Sequence, residues 1–399
     1  MTPLLPALPP APAPPASVLP VLPVLLLVLS FGCFTALCVA QRAPMADLLV
    51  YRAEGTAAAH GGDLYGFTVT EWRLPATYPP FAALLFVPAA WLPPPVLKAA
   101  SLAGNAALLA GLVALSGRLA SRPLSPARLC TATAAALWLE PVFQTVLFGQ
   151  VNLAVACLTL WDLTRPPGAR ARGLALGLAA GVKLTPVLFL VYLLLRGRRR
   201  QAATAAAGLA ATVLLGFLLL PTESADFWTR RLYETDRVGK AWIVDNQSLR
   251  GLIARALHDP APGLAWALPA AAVAVAGLAL ARRARRESHG VLLTAFTALL
   301  VCPVSWTHHW VWCVPLLAVL TAEGRTRTAV LVTLVFTART MWLLPHEGAL
   351  DLELPWWQQP LASPYALLPL LWPFLLPPGA ARAACPAAPS PPPGSRPRP

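Results

Sequence analysis

Charged residues are scarce in this chain. They make up 12% of its 399 residues, about half of the share found in a typical soluble protein. The hydrophobic fraction is 57% and the mean hydropathy is +0.61. Apolar stretches of about 17–20 residues recur along the sequence, as in proteins that cross a bilayer several times. The composition excludes a set of soluble domains and predicts an all-α, polytopic transmembrane helical bundle.

Lysine is almost absent and cysteine forms no pattern. The three lysines are Lys98, Lys183 and Lys240, and the seven cysteines include no CxxC pair. Most of the cysteines lie in apolar stretches, so we interpret them as buried free thiols and predict neither a metal site nor a disulfide framework. The chain also lacks a Walker motif, a phosphate-cradling glycine loop and a Rossmann fingerprint, which disfavours ATP-driven transport and a soluble nucleotide-sugar enzyme.

The net charge of +14 does not indicate nucleic acid as a partner. The arginines form short clusters between hydrophobic stretches, as expected of cytoplasmic connectors. These connectors are residues 118–128, 164–172, 196–200, 282–286 and 325–327, followed by a basic tail. Most acidic residues lie instead in loops 41–78, 221–262 and 345–362. This segregation predicts a functional face at the outer membrane surface.

The hydrophobic stretches predict the domain organisation. Residues 1–17 form a flexible proline-rich tail without the basic region of a signal peptide, and 18–40 form a retained first span. About 10–12 membrane helices, some short or re-entrant, are expected within residues 18–377, and residues 378–399 form a disordered tail. The later stretches are 80–95, 96–117, 129–147, 149–163, 173–195, 201–220, 263–281, 289–304, 309–322, 327–344 and 363–377.

One stretch conflicts with a simple count of crossings. Residues 173–195 are flanked on both sides by basic connectors, so they cannot form one ordinary span. They contain Lys183-Leu184-Thr185-Pro186, and a proline interrupts helical hydrogen bonding. We therefore predict two half-helices that meet at Lys183 and place this lysine at a polar cavity. The proline-flanked stretch 80–95 is a second candidate for a re-entrant segment.

Asp47 is the leading candidate functional residue. It follows directly after the first span, where a charge is costly unless it faces water or a polar cavity. A carboxylate there can act as a general base that takes a proton from a hydroxyl group. The alternative is a helix cap, since aspartate is favoured at the N-cap position.

Other polar residues form candidate contacts on the same face. Lys183 can stabilise a lipid-linked phosphate, or extend to a nearby interface. His308 and His309 lie between Trp306 and Trp310, which suits either recognition of phosphate and sugar or an aromatic belt.

Two pairs of amide side chains also allow either a functional or a structural interpretation. Gln150 and Asn152 lie where two hydrophobic stretches meet, and polar packing between helices is common at such places. Asn246-Gln247-Ser248 fits a glycosylation sequon, although a loop motif is the preferred interpretation.

Seven short motifs, in this order, resemble the signature stretches of glycosyltransferase family 87. The resemblance covers about residues 45–345 and leaves out the proline-rich ends. The stretches are Asp47-Leu48-Leu49-Val50-Tyr51, Gly62-Asp63-Leu64-Tyr65, Thr77-Tyr78-Pro79-Pro80-Phe81-Ala82, Gly149-Gln150-Val151-Asn152-Leu153, Gly181-Val182-Lys183-Leu184-Thr185-Pro186, Asn246-Gln247-Ser248-Leu249 and Pro303-Val304-Ser305-Trp306-Thr307-His308-His309-Trp310.

The resemblance implies a GT-C fold and a polyprenyl-phosphate-mannose-dependent α-(1→2)-mannosyltransferase in the cell membrane. Such an enzyme transfers mannose with inversion to a glycolipid or lipoglycan on the extracytoplasmic side, and needs no cofactor or metal besides its lipid-linked donor. Asp47 is then the expected base. Lys183, His308 and His309 are expected near the donor phosphate. The expected sugar or acceptor contacts are Tyr51, Tyr78, Gln150, Asn152, Asn246, Gln247 and Trp306. A transferase of another lipid-linked sugar and a lipid or sugar transporter are the alternatives.

Overall fold

The computed structural model describes residues 21–346 and 348–371, and helices dominate this part of the chain. The predicted tails 1–17 and 378–399 lie outside the described residues. The helices are α1 Val21–Ala40, α2 Ala46–His60, α3 Pro80–Ala90, α4 Pro94–Leu119, α5 Pro126–Ala136, α6 Glu140–Phe148, α7 Asn152–Thr164, α8 Leu174–Val182, α9 Val187–Leu195, α10 Arg199–Leu219, α11 Pro221–Asp226, α12 Leu249–Leu257, α13 Gly263–Arg283, α14 Glu287–Val301, α15 Cys313–Ala322, α16 Thr326–Thr337, α17 Gln359–Ala362 and α18 Pro364–Leu367. A short antiparallel hairpin joins β1 Thr68–Val69 to β2 Leu74–Pro75.

The helices confirm the predicted all-α membrane bundle. Among the described residues, α1, α4, α10 and α13 are each long and apolar enough to cross a membrane. The pair α6 and α7 makes a fifth candidate span that is bent by 118°. Helices α3, α14 and α16 are apolar but shorter. The chain is therefore a multi-pass membrane protein with short helices among its spans.

Most of the basic connectors gather at one end of the bundle. Arg198 forms a 2.6 Å ion pair with Glu287, and Arg286 forms one of the same length with Glu323. These contacts join the connector before α10 to the connector before α14, and that connector to the one after α15. The sequence predicted that these connectors lie on one side of the membrane, the cytoplasmic side. The cytoplasmic location of this end stays a prediction.

Helices α8 and α9 form a re-entrant hairpin, as the sequence predicted. Three glycines of α8 and its N-cap face successive turns of α10: an added Cβ at Gly173, Gly177 or Gly181 would lie 2.2 Å from Gln201, Ala205 or Thr212, respectively. The order of these contacts makes α8 parallel to α10. A tight turn joins α9 to α10, and the two helices are antiparallel. Both ends of the hairpin therefore lie at the basic end, and its tip, residues 183–186, lies inside the bundle.

A buried carboxylate holds the base of this hairpin. Asp162, at the end of α7, accepts hydrogen bonds from the backbone N–H groups of Gly173 at 2.8 Å and Ala175 at 3.1 Å. It also accepts one from the side-chain amide of Gln201 at 2.9 Å. The first N–H groups of a helix lack partners within the helix and attract negative charge. Asp162 thus fixes the N-terminus of α8 to both α7 and α10.

The opposite end of the bundle carries the loops. The predicted stretch 80–95 is divided between α3 and the start of α4, and α3 packs against α2 so closely that Gly55 faces the carbonyl of Phe86. The loop after α11 meets the loop after α14 through a bridge between Asn246 and Trp306. These segments and α2 surround the tip of the α8–α9 hairpin.

Replacing Gly177 with alanine should destabilise the protein. The new methyl group would overlap the carbonyl of Ala205, and overpacking of this kind costs about 1–3 kcal/mol. The measurement is thermal unfolding of the purified variant in detergent. Gly104→Ala is the matched control, because an added Cβ at this α4 position meets no atom within 4 Å. Equal unfolding temperatures for the two variants would contradict the close approach of α8 to α10.

Candidate active site

A cavity of about 780 Å³ lies among the loops and the hairpin tip. Eight of the sequence-predicted site residues line it: Asp47, Tyr51, Tyr78, Gln150, Lys183, Trp306, His308 and His309. Gln150 precedes α7 and Lys183 follows α8, and the far ends of both helices lie at the basic end. The cavity is therefore at the opposite end of the bundle from these connectors. Residues from five separate sequence regions meet in one place.

Asp47 lies in the first turn of α2 and faces the cavity. The N-cap of α2 is Met45, in a left-handed conformation with φ 52°. Asp47 is therefore not the capping residue, which removes the structural alternative considered from the sequence. Tyr51 follows one turn later on the same side of the helix. Helix α2 thus presents a carboxylate and a phenol to the same cavity.

Gln150 orients the Asp47 carboxylate. Its Oε1 atom accepts hydrogen bonds from the hydroxyls of Tyr51 at 2.6 Å and Tyr78 at 3.1 Å. The amide N–H groups are then the part of Gln150 that can donate to Asp47, to which this side chain is hydrogen bonded. Gly149 permits this placement, because it has φ 70° and an added Cβ would lie 2.7 Å from Leu48.

Burial raises the pKa of Asp47 to about 6. The hydrogen bond from Gln150 and the charge of Lys183 oppose this rise, while the charge of Asp245 adds to it. Removal of a carboxylate from water disfavours its charged form, and donors or cations favour it. The result is a carboxylate that is ionised at neutral pH and still basic enough to accept a proton.

Lys183 points into the cavity from the hairpin tip. Its Nζ atom donates to Oδ1 of Asn152 at 2.7 Å and lies 5.6 Å from the ring centroid of Tyr78. Asn152 in turn donates to the backbone carbonyl of His308 at 2.9 Å. Asn152 does not line the cavity and instead holds the lysine beside the histidines. This contact also argues against the alternative that Lys183 extends to an interface.

Both histidines face the cavity, and His308 has spare hydrogen-bonding capacity. His308 is only 4% exposed, and neither of its ring nitrogens has a hydrogen-bond partner among the described residues. Burial lowers the pKa of both imidazoles, and the nearby Lys183 lowers it further. They are therefore neutral side chains that can donate or accept hydrogen bonds. Buried polar groups without hydrogen-bond partners are rare in folded proteins, so we interpret these two nitrogens as groups that bind a ligand.

Asn246 and Gln247 brace the loops behind the cavity. The Asn246 amide donates to the carbonyls of Ala241 at 2.7 Å and Pro303 at 3.1 Å. The Gln247 amide donates to the carbonyls of Val244 and Ala362, both at 2.7 Å. Neither residue lines the cavity. The geometry gives these two residues, like Asn152, a bracing role, and their predicted contact with sugar stays a prediction.

Several cavity residues were not singled out from the sequence. Asp245, Trp72, Arg231 and Arg237 also line the cavity. Asp245 directly precedes the Asn246-Gln247 pair, and this adjacency was the one available signal. The two arginines lie in a loop where acidic residues are as frequent as basic ones, so the sequence gives no reason to select them as site residues. Among the described residues, no three His, Cys, Asp or Glu side chains are grouped to hold a metal ion.

The sequence model of glycosyltransferase family 87 matches residues 76–305 of this chain. The chain belongs to glycosyltransferase family 87. This confirms the family and the enzyme class predicted from the motifs. The match begins after Asp47, so the role of that residue rests on the geometry of the cavity.

Curated relatives cover more of the chain. A polyprenol-phosphate-mannose-dependent alpha-(1-2)-phosphatidylinositol mannoside mannosyltransferase of Mycobacterium tuberculosis is 35% identical over 342 residues, which is 78% of this chain and 80% of the relative. A protein of the same name from Mycolicibacterium smegmatis is 34% identical over 80% of both chains. A phosphatidylinositol pentamannoside mannosyltransferase of Mycobacterium tuberculosis is 36% identical over 73% of this chain and 70% of its own length. No solved structure matches the chain.

The rate of sugar transfer should follow the ionisation of Asp47. A general base must be deprotonated, so kcat/KM should rise with pH, be half-maximal near pH 6 and level off above it. Gln150→Leu should move this midpoint to higher pH, because it removes a hydrogen bond that favours the charged carboxylate. The measurement is kcat/KM across the range from about pH 5 to about pH 8.

The matched control is Gln41→Leu, which alters an exposed glutamine outside the cavity. Its midpoint should equal that of the wild type. A midpoint that does not respond to Gln150→Leu would contradict the hydrogen bond between Gln150 and Asp47.

Proposed function

We propose that the chain transfers mannose from polyprenyl phosphate mannose to a glycolipid or lipoglycan acceptor such as a phosphatidylinositol mannoside. The observation that carries this proposal is that Asp47 and Lys183, a carboxylate and an ammonium group, face one cavity at an end of a membrane bundle. The names of the curated relatives supply the donor and the acceptor class.

Lys183 and the two histidines suit the donor phosphate. Cleavage of the bond between the sugar and the phosphate leaves additional negative charge on the phosphate oxygen. An ammonium group and neutral imidazole N–H groups stabilise that charge as it develops. Asn152 holds the lysine at 2.7 Å, so the cation is in position before the donor binds. A monophosphate leaving group of this kind can depart without a metal ion.

Asp47 suits the acceptor hydroxyl. In a single displacement, the acceptor oxygen attacks the anomeric carbon from the side opposite the phosphate, and the product has inverted configuration. The hydroxyl proton passes to the Asp47 carboxylate. The hydroxyls of Tyr51 and Tyr78 fix the Gln150 side chain, and Gln150 is the hydrogen-bond partner of this carboxylate. Preorganisation of the base removes part of the entropic cost of the reaction.

The remaining walls suit lipid-linked substrates. Apolar side chains line much of the cavity and can contact a polyprenyl chain. They include Val50, Leu184, Val187, Leu188, Ile243, Val301 and Val304. Trp306 and Trp72 also line the cavity, and aromatic rings pack well against the apolar faces of sugars. A polar centre bordered by apolar walls fits a substrate with a charged head and a long hydrocarbon tail.

The location of the cavity supports an extracytoplasmic reaction. Arginine-rich connectors are retained on the cytoplasmic side of membrane proteins. The connectors before α10, before α14 and after α15 lie together at the far end of the bundle. By this rule the cavity opens on the other side, where a glycolipid of the cell envelope is available as an acceptor.

Asp47→Asn should abolish mannose transfer, with a loss of at least about 100-fold. Asparagine retains the size of aspartate but cannot accept the hydroxyl proton. The measurement uses purified protein in nanodiscs with labelled polyprenyl phosphate mannose and a phosphatidylinositol mannoside acceptor. Glu71→Gln is the matched control, because Glu71 is an exposed carboxylate in the same outer loop and does not line the cavity. Full turnover by Asp47→Asn would refute the base assignment, whereas donor translocation without glycosidic product would favour a transporter.

Lys183→Met should weaken the use of the donor. Methionine retains much of the length of lysine but removes its charge, and a charged hydrogen bond of this type corresponds to about 10- to 100-fold in affinity. The measurement is the donor KM together with the affinity for polyprenyl phosphate, which lacks the sugar. Lys240→Met is the control, since Lys240 is exposed and outside the cavity lining. Unchanged affinity for polyprenyl phosphate in Lys183→Met would remove this lysine from the phosphate site.

A further inference from the structure

Asp245 is a second carboxylate in the cavity to which the mechanism above gives no role. It lies in the loop before α12 and lines the cavity wall. Its Oδ1 atom accepts hydrogen bonds from the backbone N–H of Thr307 at 3.1 Å and from the Thr307 hydroxyl at 2.7 Å. Its Oδ2 atom has no hydrogen-bond donor among the described residues. One oxygen is therefore fixed by the protein, and the other remains available to a ligand.

The backbone around Asp245 is held from several sides. The guanidinium group of Arg255 donates to the carbonyls of Ile243 at 2.8 Å and Asn246 at 3.2 Å. The Asn246 side chain joins this loop to Pro303 and Ser305. Buried arginine and asparagine side chains that satisfy backbone carbonyls in this way leave the loop little freedom. Asp245 therefore keeps its position without help from a substrate.

The surroundings of Asp245 show which part of the substrate it meets. Thr307 is followed directly by His308 and His309, the candidate phosphate contacts. Asp245 also lies close enough to Asp47 to disfavour the charge of that carboxylate. A group in contact with Asp245 is thus between the phosphate side of the cavity and the base. In the proposed reaction, the transferred sugar occupies that place.

Two carboxylates in one cavity suit this particular ligand. Like charges near each other in a buried site are costly. A sugar offers hydroxyl groups that donate to carboxylate oxygens, and its ring becomes positively charged as the bond to phosphate breaks. Both features favour an ionised carboxylate beside the ring. Lys183 favours the charge of Asp47 in the resting cavity, and the reacting sugar adds positive charge at the moment of transfer.

Resting on the proposed function, we propose that Asp245 binds the transferred sugar: its Oδ2 atom accepts a hydroxyl group of the donor, and its charge stabilises the positive charge that develops on the ring. Asp245 forms no covalent bond. The bond between the anomeric carbon and the phosphate oxygen breaks with its electrons passing to that oxygen. The acceptor oxygen bonds to the anomeric carbon, and its proton passes to Asp47. Asp245 is in this sense a catalytic residue that contacts the reacting sugar.

A purely structural reading of Asp245 makes a different prediction. Thr307 begins a short 3₁₀ segment, Thr307–Trp312, and Oδ1 of Asp245 accepts the backbone N–H at its start. A residue that only caps this segment needs one acceptor oxygen and no charge. Asparagine provides the acceptor oxygen and has the same size. Asp245→Asn therefore preserves the cap and removes only the charge and the second acceptor.

The experiment compares Asp245→Asn with the wild type in the mannose transfer assay. We expect kcat to fall about 100-fold, as for the loss of one electrostatic contact to a transition state. The midpoint of the pH profile, assigned to Asp47, should move to lower pH, because the charge of Asp245 raises the pKa of Asp47. The other groups that act on Asp47, namely Gln150 and Lys183, are unchanged in this variant. The thermal unfolding temperature should stay that of the wild type.

The matched control is Asp236→Asn. Asp236 lies in the same loop region, is 82% exposed and pairs with Arg250, and exposed pairs of this kind contribute little. Its kcat and pH midpoint should equal those of the wild type. A second measurement uses donors that lack single hydroxyl groups of the sugar. One of these donors should react slowly with the wild type, because it lacks the hydroxyl group that contacts Asp245. For that donor, Asp245→Asn should lower the rate much less than it does for the complete donor.

The outcomes separate this inference from the proposed function. Wild-type kcat and an unchanged pH midpoint in Asp245→Asn would overturn the role of Asp245. A lower kcat with an unchanged midpoint and equal losses for every deoxy donor would also overturn it and favour the capping role. Absence of mannosylated product with the wild type would instead refute the proposed function. In that case the deoxy donors of another lipid-linked sugar would test Asp245.

Discussion

The close packing of α8 against α10 is the constraint on which the rest of the cavity depends. Three glycines, Gly173, Gly177 and Gly181, let the two backbones approach until a methyl group would overlap carbonyl or side-chain oxygens of α10. Small residues permit such contacts in membranes, where lipid provides no hydrophobic drive for helices to associate. This approach lets the hairpin enter the bundle and return to the same end. The residues at its tip are not helical, and backbone groups there that have no partners within a helix lie beside the cavity, where such groups are tolerated.

The position of the tip determines the electrostatics of the cavity. An ammonium group inside a membrane protein needs polar partners, and Lys183 finds one in Asn152. Its charge in turn favours the ionised form of Asp47, against burial and against Asp245. Gln150, fixed by two tyrosine hydroxyls, contributes a hydrogen bond in the same direction. Among the described residues, neutral amides and hydroxyls are therefore the hydrogen-bond partners of Asp47, Lys183 and Asp245, and none of the three forms a direct ion pair.

The sequence predicted the bundle, the hairpin and eight of the residues that line the cavity because each left a local signal. Proline after Lys183 and basic connectors on both sides were enough to infer the re-entrant path. The four predicted amides take two different places: Gln150 lines the cavity, whereas Asn152, Asn246 and Gln247 brace its walls. A short motif does not show whether an amide contacts a ligand or braces a loop. Only the hydrogen-bond partners of the amide in the folded protein distinguish these two roles. Asp245 was missed for a related reason, since its importance comes from Thr307, a residue distant in sequence.

The arrangement also explains how the proposed reaction moves charge without adding any to the buried site. Before transfer, Asp47 carries a negative charge and the donor phosphate is a diester. After transfer, Asp47 carries the acceptor proton and the phosphate has gained the charge that Asp47 lost. The total charge in the cavity is constant, so no new ion has to be desolvated. The negative charge moves away from Asp245, which disfavours it at Asp47, and towards Lys183, which stabilises it at the phosphate. Because the pKa of Asp47 is about 6, the proton leaves again at neutral pH once the products have gone, and the base is ready for the next acceptor.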